Sequence, residues 1–270
     1  MPVTYAVGID VGGTKIAAAL VDLKSGRLNK RVVLPTDSER GGGAVLADCA
    51  SLAASLGGQT CPVGIGLCEL VDLDGRPASA DTIDWRDLDV AGAIGAPRVV
   101  IESDVRAAAR AEARFGAGVG RSPFLHVVVG TGASVSLVVD GEPYTGAHGR
   151  AIVLGAPPVE ETASGRALAR RAGVERAEDA LGNPAHARLV GEAAQALAQA
   201  LAVLVNALDP ELVVVSGGLG GDPSFLERLV AATRPLVAYP VRPLEIVGSA
   251  LGADGGVIGA ALATLENRGR

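Results

Sequence analysis

The stretch Gly8-Ile9-Asp10-Val11-Gly12-Gly13-Thr14-Lys15 decides the fold. An apolar, β-branched run from Thr4 to Asp10 leads into it, a glycine turn from Val11 to Lys15 reverses the chain, and a second apolar run from Ile16 to Asp22 leads out. This pattern predicts a β-hairpin with an unusually glycine-rich tip. Two adjacent glycines let backbone N–H groups approach a phosphate, because no Cβ stands in the way and positive φ is open to them. Thr14 adds a hydroxyl donor. Asp10, at the end of the first strand, can hold a magnesium ion through water, since a hard cation that keeps several waters wants one or two carboxylates nearby. The bland alternative is an ordinary glycine hairpin. The segment is neither a Walker loop, which needs four residues between its glycines and a Gly-Lys-Ser/Thr ending, nor a dinucleotide fingerprint.

Working outward, Arg31 to Leu34 reads as a third strand, Ala44 to Leu56 as a helix and Val63 to Leu70 as a strand. Arg98 to Ser103 is a strand running straight into a helix from Val105 to Phe115. The opening pattern then restarts. Phe124 to Val129 is a strand, Gly130-Thr131-Gly132 a glycine turn, and Ser134 to Val139 a strand closed by Asp140-Gly141. This self-similarity points to two related domains. The aperiodic stretch Gly116 to Pro123 sets their boundary, giving residues 1–118 and 119–255, with a terminal helix in 256–270 that can return to the first domain. Helices are expected at Ser164 to Ala172, Ala187 to Leu208 and Pro223 to Val237, and strands at Glu211 to Ser216 and Leu244 to Gly248.

Composition agrees with an α/β architecture. The 270 residues are 49% hydrophobic but only 3% aromatic, so the core must be Val, Leu, Ile and Ala, as suits buried strands covered by alanine-rich helices. A net charge of −6 speaks against a nucleic-acid surface, and Arg166, Arg170 and Arg171 read as a solvated helix face. Met1 to Asp10 does not have the pattern of a secretory signal. The apolar stretch Ala193 to Leu208 falls short of membrane-spanning length and is expected to be a buried helix. Cys49, Cys61 and Cys68 lack the spacing of a zinc site or disulfide framework, which places the chain in a reducing cytoplasm. They read as small buried hydrophobes, with a reactive thiol as the alternative.

Three further places can carry chemistry. Gly130-Thr131-Gly132, as the counterpart of the first turn, can grip the far side of a triphosphate, or can simply close a hairpin. Gly217 and Gly218, in Ser216-Gly217-Gly218-Leu219-Gly220, leave room for a flat ring such as adenine, or form a strand-to-helix turn. Asp104, at a strand-to-helix junction, can cap the helix or face a cleft as a general base that takes the proton of an attacking hydroxyl.

These residues together resemble the ROK family of bacterial sugar kinases and repressors, within the actin-like, hexokinase-like ATPase superfamily. The family's first phosphate loop is similar to Asp10 to Lys15, its second to Gly130 to Gly132, and its adenosine segment to Val213 to Gly220. Its catalytic Glu-Asn-Asp is similar to Glu102-Ser103-Asp104, and its closing glycine pattern to Gly252 to Ala260. The resemblance implies two ribonuclease-H-like α/β domains with a cleft between them, ATP with Mg²⁺, Asp104 as base, Ser103 and Glu160 as acceptor contacts, and a homodimer. It also implies closure on binding, which excludes water.

The departures all fall on the acceptor side. Val153 and Ala156 stand where the family has a sugar-contacting Glu and His, and the family's zinc cysteines are missing. Ser103 replaces an asparagine, Cys68-Glu69-Leu70 replaces Pro-Gly-Pro, and Thr82-Ile83-Asp84-Trp85 replaces Asn-Leu-Pro-Gly-Trp. Apolar groups in place of hydroxyl-binding ones leave an ordinary hexose short of hydrogen bonds, at about 1 to 3 kcal/mol per buried group. The expected acceptor is therefore an amino sugar or cyclitol rather than plain glucose. Glu69 is either a contact for a cationic amine or a solvated side chain, and His148 is structural or exposed. The expected function is transfer of the ATP γ-phosphate to a sugar-like hydroxyl, without nucleic-acid or membrane partners. Its rivals are a catalytically degenerate ligand-binding relative and a regulator. ROK repressors carry a helix-turn-helix ahead of this body, and this chain opens directly on its first strand.

Overall fold

The computed structural model describes residues 4–154, 157–238 and 244–266. β1 (Tyr5–Val11) and β2 (Lys15–Asp22) form the expected hairpin, and β3 (Leu28–Pro35) adds antiparallel to β2. After α1 (Gly42–Ser55), β4 (Val63–Leu67) pairs parallel to β1. After the short α2 (Val90–Ile94), β5 (Val99–Ser103) pairs parallel to β4 and leads directly into α3 (Asp104–Phe115). The sheet order is β3-β2-β1-β4-β5.

A second sheet repeats this plan. β6 (Phe124–Val129) and β7 (Ala133–Val139) form the hairpin, and β8 (Glu142–Pro143) adds antiparallel to β7. α4 (Pro157–Ala163), α5 (Gly165–Ala172) and α6 (Ala187–Leu208) then precede β9 (Leu212–Ser216), which is parallel to β6. α7 (Pro223–Thr233) leads to β10 (Glu245–Gly248), parallel to β9, and α8 (Gly255–Ala263) follows. The order β10-β9-β6-β7-β8 is the first sheet's order read from the other side.

The chain forms two compact units. One holds the chain up to Phe115, the segment Thr145–Ala151 and the chain from Asp254, and the other holds Gly116–Tyr144 and Ile152–Ala253. In the first, Val7, Ile9, Ile65, Leu67 and Trp85 are core residues, and in the second Leu197, Leu201, Val213, Val215 and Phe225. Cys49 is buried in the first core, where desolvation pushes its thiol up to about 12. Burial also raises Cys61 and Cys68, so the reactive-thiol alternative loses the thiolate it needs.

Two expectations need correction. Residues 184–208 form one helical stretch that is long and apolar enough to cross a membrane by length and composition. Val190, Ala193, Leu197, Leu201 and Val205 of that stretch nevertheless pack into the second core, which makes it a core helix. α7 ends four residues early, because Pro235 cannot donate to an α-helical ladder and the chain tightens to a 3₁₀ turn at Arg234–Leu236.

Glycine explains how α8 seats. Gly8 and Gly64 are paired across β1 and β4, and a Cβ on them would lie 2.0 Å from the Val257 carbonyl oxygen and 1.7 Å from that of Ala260. On the helix itself, a Cβ at Gly259 would lie 1.6 Å from the Ala107 carbonyl oxygen of α3. α8 is thus held between sheet and helix with backbone against backbone. Gly259→Ala is expected to destabilise the protein by about 1 to 3 kcal/mol or more through overpacking, measured by urea denaturation against Gly43→Ala, where a Cβ meets nothing within 4 Å.

Candidate active site

The carboxyl ends of three parallel strands place the acidic groups together. Asp10 of β1 registers with Gly66 of β4, and Gly66 registers with Glu102 of β5. Asp104 lies two residues beyond Glu102. Gly66 has no side chain to separate the two acids, and a Cβ there would sit 3.4 Å from the Asp104 Cα and 3.7 Å from Asp10 Oδ1. Gly256, near the start of α8, leaves room in the same way, since its Cβ would lie 2.4 Å from Asp10 Oδ2.

Burial raises the proton affinity of both acids. Asp10 is pushed up to about 6 by desolvation, which the Lys15 charge partly offsets. Asp104 is pushed up to about 8, first by desolvation, then by the Asp10 and Glu69 charges, against the Val105 N–H and the Ser103 hydroxyl. Val105 N–H donates to Asp104 Oδ1 at 2.7 Å. Capping and proton acceptance are therefore compatible, because only one oxygen is committed to the helix. A carboxyl group with such a high proton affinity, at the carboxyl ends of the parallel strands β1, β4 and β5, is suited to accept a hydroxyl proton.

The first glycine turn is braced from β3 and the residue after it. Gly12 N–H donates to the Lys15 carbonyl at 3.0 Å, the buried Thr36 hydroxyl donates to the Gly12 carbonyl at 2.7 Å, and Thr36 N–H donates to the Thr14 carbonyl. Thr14 and Lys15 are exposed. Gly12 lies outside the left-handed region, so what it contributes is space.

The second turn is braced from α5, where Gly165 N–H donates to the Gly130 carbonyl and Arg166 N–H to the Thr131 carbonyl. Ser164 caps α5 by accepting from Ala167 N–H. Glu160 accepts from Ala133 N–H at 3.1 Å, with Oε1 beside Gly132. A Cβ at Gly130 would meet nothing within 4 Å. Gly130→Ala is therefore expected to leave the melting temperature unchanged and, if the turn grips phosphate as the resemblance implies, to weaken nucleotide binding about tenfold, read by a binding titration.

Gly217 has a structural reason of its own. Its φ is +94°, and a Cβ would lie 2.4 Å from the Val129 carbonyl oxygen, which also accepts from Leu219 and Gly220 N–H. At Gly218 a Cβ would meet Glu178 Oε1. Both glycines are exposed.

Glu69 is not the solvated side chain that was one expectation. It is 3% exposed, and its carboxylate accepts from the Ser79 hydroxyl and from the N–H groups of Asp81, Thr82 and Ile83. Four donors meet the roughly four lone-pair sites of its carboxylate. Arg106, one helical turn beyond Glu102, is a feature the sequence reading missed. It is 1% exposed and donates to Glu102 at 2.5 Å, to the Gly149 carbonyl at 2.6 Å and to the Val71 carbonyl at 2.9 Å. An arginine on an alanine-rich helix looks solvated by periodicity; only the buried Glu102 reveals its partner. A separate hollow of about 450 Å³ is lined by Asp72, Leu73, Asp74, Ala147, His148 and Arg150, with His148 exposed, and shares no lining residue with the acid pair.

The profile of the ROK family matches residues 6–267. The chain belongs to the ROK family. It is 33% identical, over 96% of its length, to the bifunctional enzyme NanE/NanK of Brucella melitensis, and covers 54% of that protein, about half its length. It is 30% identical to a Streptomyces coelicolor glucokinase, covering 94% of this chain and 96% of the other. A ROK glucokinase from Streptomyces griseus, crystallised with glucose and AMPPNP, superposes with a TM-score of 0.85 at 27% identity, covering 98% of this chain and 100% of that one. The α/β fold expected from the two glycine hairpins is that of ROK sugar kinases, with two ribonuclease-H-like domains.

Within this ROK chain, Val153, one of the two positions at which the resemblance implies a replaced sugar contact, is 61% exposed and bridges to Ser134 of β7. The other position, Ala156, lies outside the described residues. Ser103 is fully buried beside Asp104.

Proposed function

We propose that this chain is an ATP-dependent kinase that transfers the γ-phosphate to a hydroxyl of a sugar or sugar-like acceptor, with Asp104 as the base. The observation that carries the reading is the acid pair at the carboxyl ends of β1 and β5, kept close by Gly66, in a ROK chain whose two glycine turns are both braced. Asp104 takes the proton of the acceptor hydroxyl as its oxygen attacks the γ-phosphorus. The bond to the bridging oxygen breaks, ADP leaves, and Asp104 returns its proton to solvent. Backbone N–H groups of Gly13 to Lys15 and of Thr131 and Gly132 hold the phosphates, Gly12 and Gly130 shape the two turns through their own N–H bonds to Lys15 and Gly132, and Gly217 and Gly218 border the adenosine. Ser103 and Glu160 are assigned to the acceptor.

Among the described residues, no three His, Cys, Asp or Glu side chains gather as a preformed metal cage. A half-buried carboxylate such as Asp10 suits Mg²⁺, which keeps most of its waters and binds chiefly through nucleotide phosphates. There it would neutralise charge on the transferring group. The reading also includes a homodimer and a reducing cytoplasm, the latter supported by three free cysteines.

The similarity to a glucokinase crystallised with glucose supports a hexose-sized acceptor, and the replacement of hydroxyl-binding groups by Val153 and Ala156 favours one other than plain glucose, an amino sugar or a cyclitol. An ADP-release screen across hexoses, amino sugars and cyclitols tests the proposal. Acceptor-dependent ADP release supports it. Nucleotide binding without turnover on any acceptor sinks it in favour of a degenerate, ligand-binding relative.

A further inference from the structure

The chain leaves β4 between the strands that carry the two acids. Leu67 registers with Val11 on one side and Ser103 on the other, and Cys68 N–H donates to the Val11 carbonyl at 3.1 Å. Glu69 therefore emerges at the same sheet edge as Asp10 and Asp104. Its charge is felt by Asp104, which fits that placement.

What Glu69 does there is organise backbone. Oε1 accepts from Thr82 N–H at 2.6 Å and Ile83 N–H at 2.8 Å, while Oε2 accepts from Asp81 N–H at 2.9 Å and from the Ser79 hydroxyl. Ser79 Oγ in turn accepts from Leu70 N–H at 3.0 Å, and Ala78 N–H donates to the Leu70 carbonyl at 2.6 Å. Three consecutive amides converging on one carboxylate form an anion nest occupied by the protein's own side chain. Such charge-assisted bonds are roughly twice as strong as neutral ones. The loop they fix runs on into Ile83 and Trp85, 2% and 1% exposed. Trp85 is the single tryptophan of the chain, and its buried indole N–H finds no acceptor among the described residues.

We propose that Glu69 is the positioning residue of the acceptor side: it touches no acceptor, and by clamping Ser79–Ile83 at the edge that carries Asp10 and Asp104 it sets affinity for the acceptor but not for the nucleotide. This rests on the kinase reading above. It assigns the acceptor side a device internal to the loop, built from a residue that composition presents as an ordinary surface acid.

The test uses the full chain with Glu69→Gln and Ser79→Ala. Glutamine cannot accept all four donors, and its NH₂ meets an amide N–H. Glu69→Gln is expected to raise the KM for the best acceptor of the screen at least about tenfold, the equivalent of 1.4 kcal/mol, with the KM for ATP within about twofold of the parent. Ser79→Ala, which removes one donor of four, is expected to raise the acceptor KM about threefold. An unchanged acceptor KM in the folded variants, or an equal rise for ATP, overturns the proposal. If Glu69→Gln does not fold, the Ser79→Ala result decides by the same criterion.

Trp85 fluorescence separates this proposal from the kinase reading, because it needs no turnover. In Glu69→Gln, or in Ser79→Ala if that variant must carry the test, a clamp that holds the loop predicts red-shifted emission and increased acrylamide quenching. A parent that turns over no acceptor sinks the kinase reading and the acceptor half of this proposal with it. Unchanged quenching sinks the clamp itself.

Discussion

On the proposed reading, Asp104→Asn is expected to lower turnover on the best acceptor by about 10²- to 10⁴-fold, the range for loss of a general base, while leaving the KM for ATP near the parent value. The same substitution is expected to stabilise the protein at alkaline pH. The Asp104 pKa in the folded chain is about 8, against about 3.9 for an unperturbed aspartate, so the native state binds the proton more tightly than the unfolded chain does. The contribution of this group to stability is complete below pH about 4 and is lost as pH rises through about 8. Asp10, at about 6, adds a loss of the same sign between pH about 4 and about 6. Asparagine carries no such cost. Melting curves of parent and variant should coincide near pH 4 and diverge progressively towards pH 8, with the variant higher. A variant that melts lower at pH 8 would show that the Asp104 carboxylate is held by favourable partners, contrary to the burial argument. A rate within about threefold of the parent would remove Asp104 from the chemistry.

Arg106→Ala has the second large effect, and it falls on stability. Truncation withdraws a fully buried guanidinium from Glu102, which is 1% exposed, and from the carbonyls of Gly149 and Val71. Breaking a buried pair from one side typically costs about 3 to 5 kcal/mol, a large part of the roughly 5 to 15 kcal/mol that holds a domain together. Arg110 stands 3.8 Å from Glu102 and pairs also with Glu266, so part of the charge stays compensated and the cost belongs at the lower end. Urea denaturation should show the loss directly. Pairing the substitution with Glu102→Gln should return part of it, because the uncompensated charge is then gone. A double variant no more stable than Arg106→Ala would place the loss in the two carbonyls.

The elements that sequence made legible are those whose cause is local. The two hairpins, the α6 span and the junction of β5 with α3 follow from alternation, helical spacing and glycine turns, and the structure places them within a residue or two of expectation. Pro157 and Pro158 hid α4, since paired prolines read as a break although proline is tolerated in the first turn of a helix. At the candidate site, Asp10, Asp104 and the glycine turns were legible because each sits at the end of a recognisable strand. Glu69 and Arg106 were not. Their roles depend on partners 10 to 14 and 35 to 43 residues away, and no periodicity carries that information. The glycines of α8 stood out as a pattern, but the carbonyls they face belong to other segments.

The seat of α8 also bears on how the chain acquires its structure. Gly8 and Gly64 receive a helix encoded roughly two hundred to two hundred and fifty residues after them, so the first sheet stays uncovered on that side while the whole second unit is being synthesised. The second unit has its strands and helices nearly contiguous and can condense first, reversing the usual order in which N-terminal domains fold ahead of later ones. The first unit must then close a long loop before its last helix docks, a step of high contact order and correspondingly slow. Until that step, the glycine face of β1 and β4 stays open to water, while their large apolar side chains are already turned to the opposite side of the sheet.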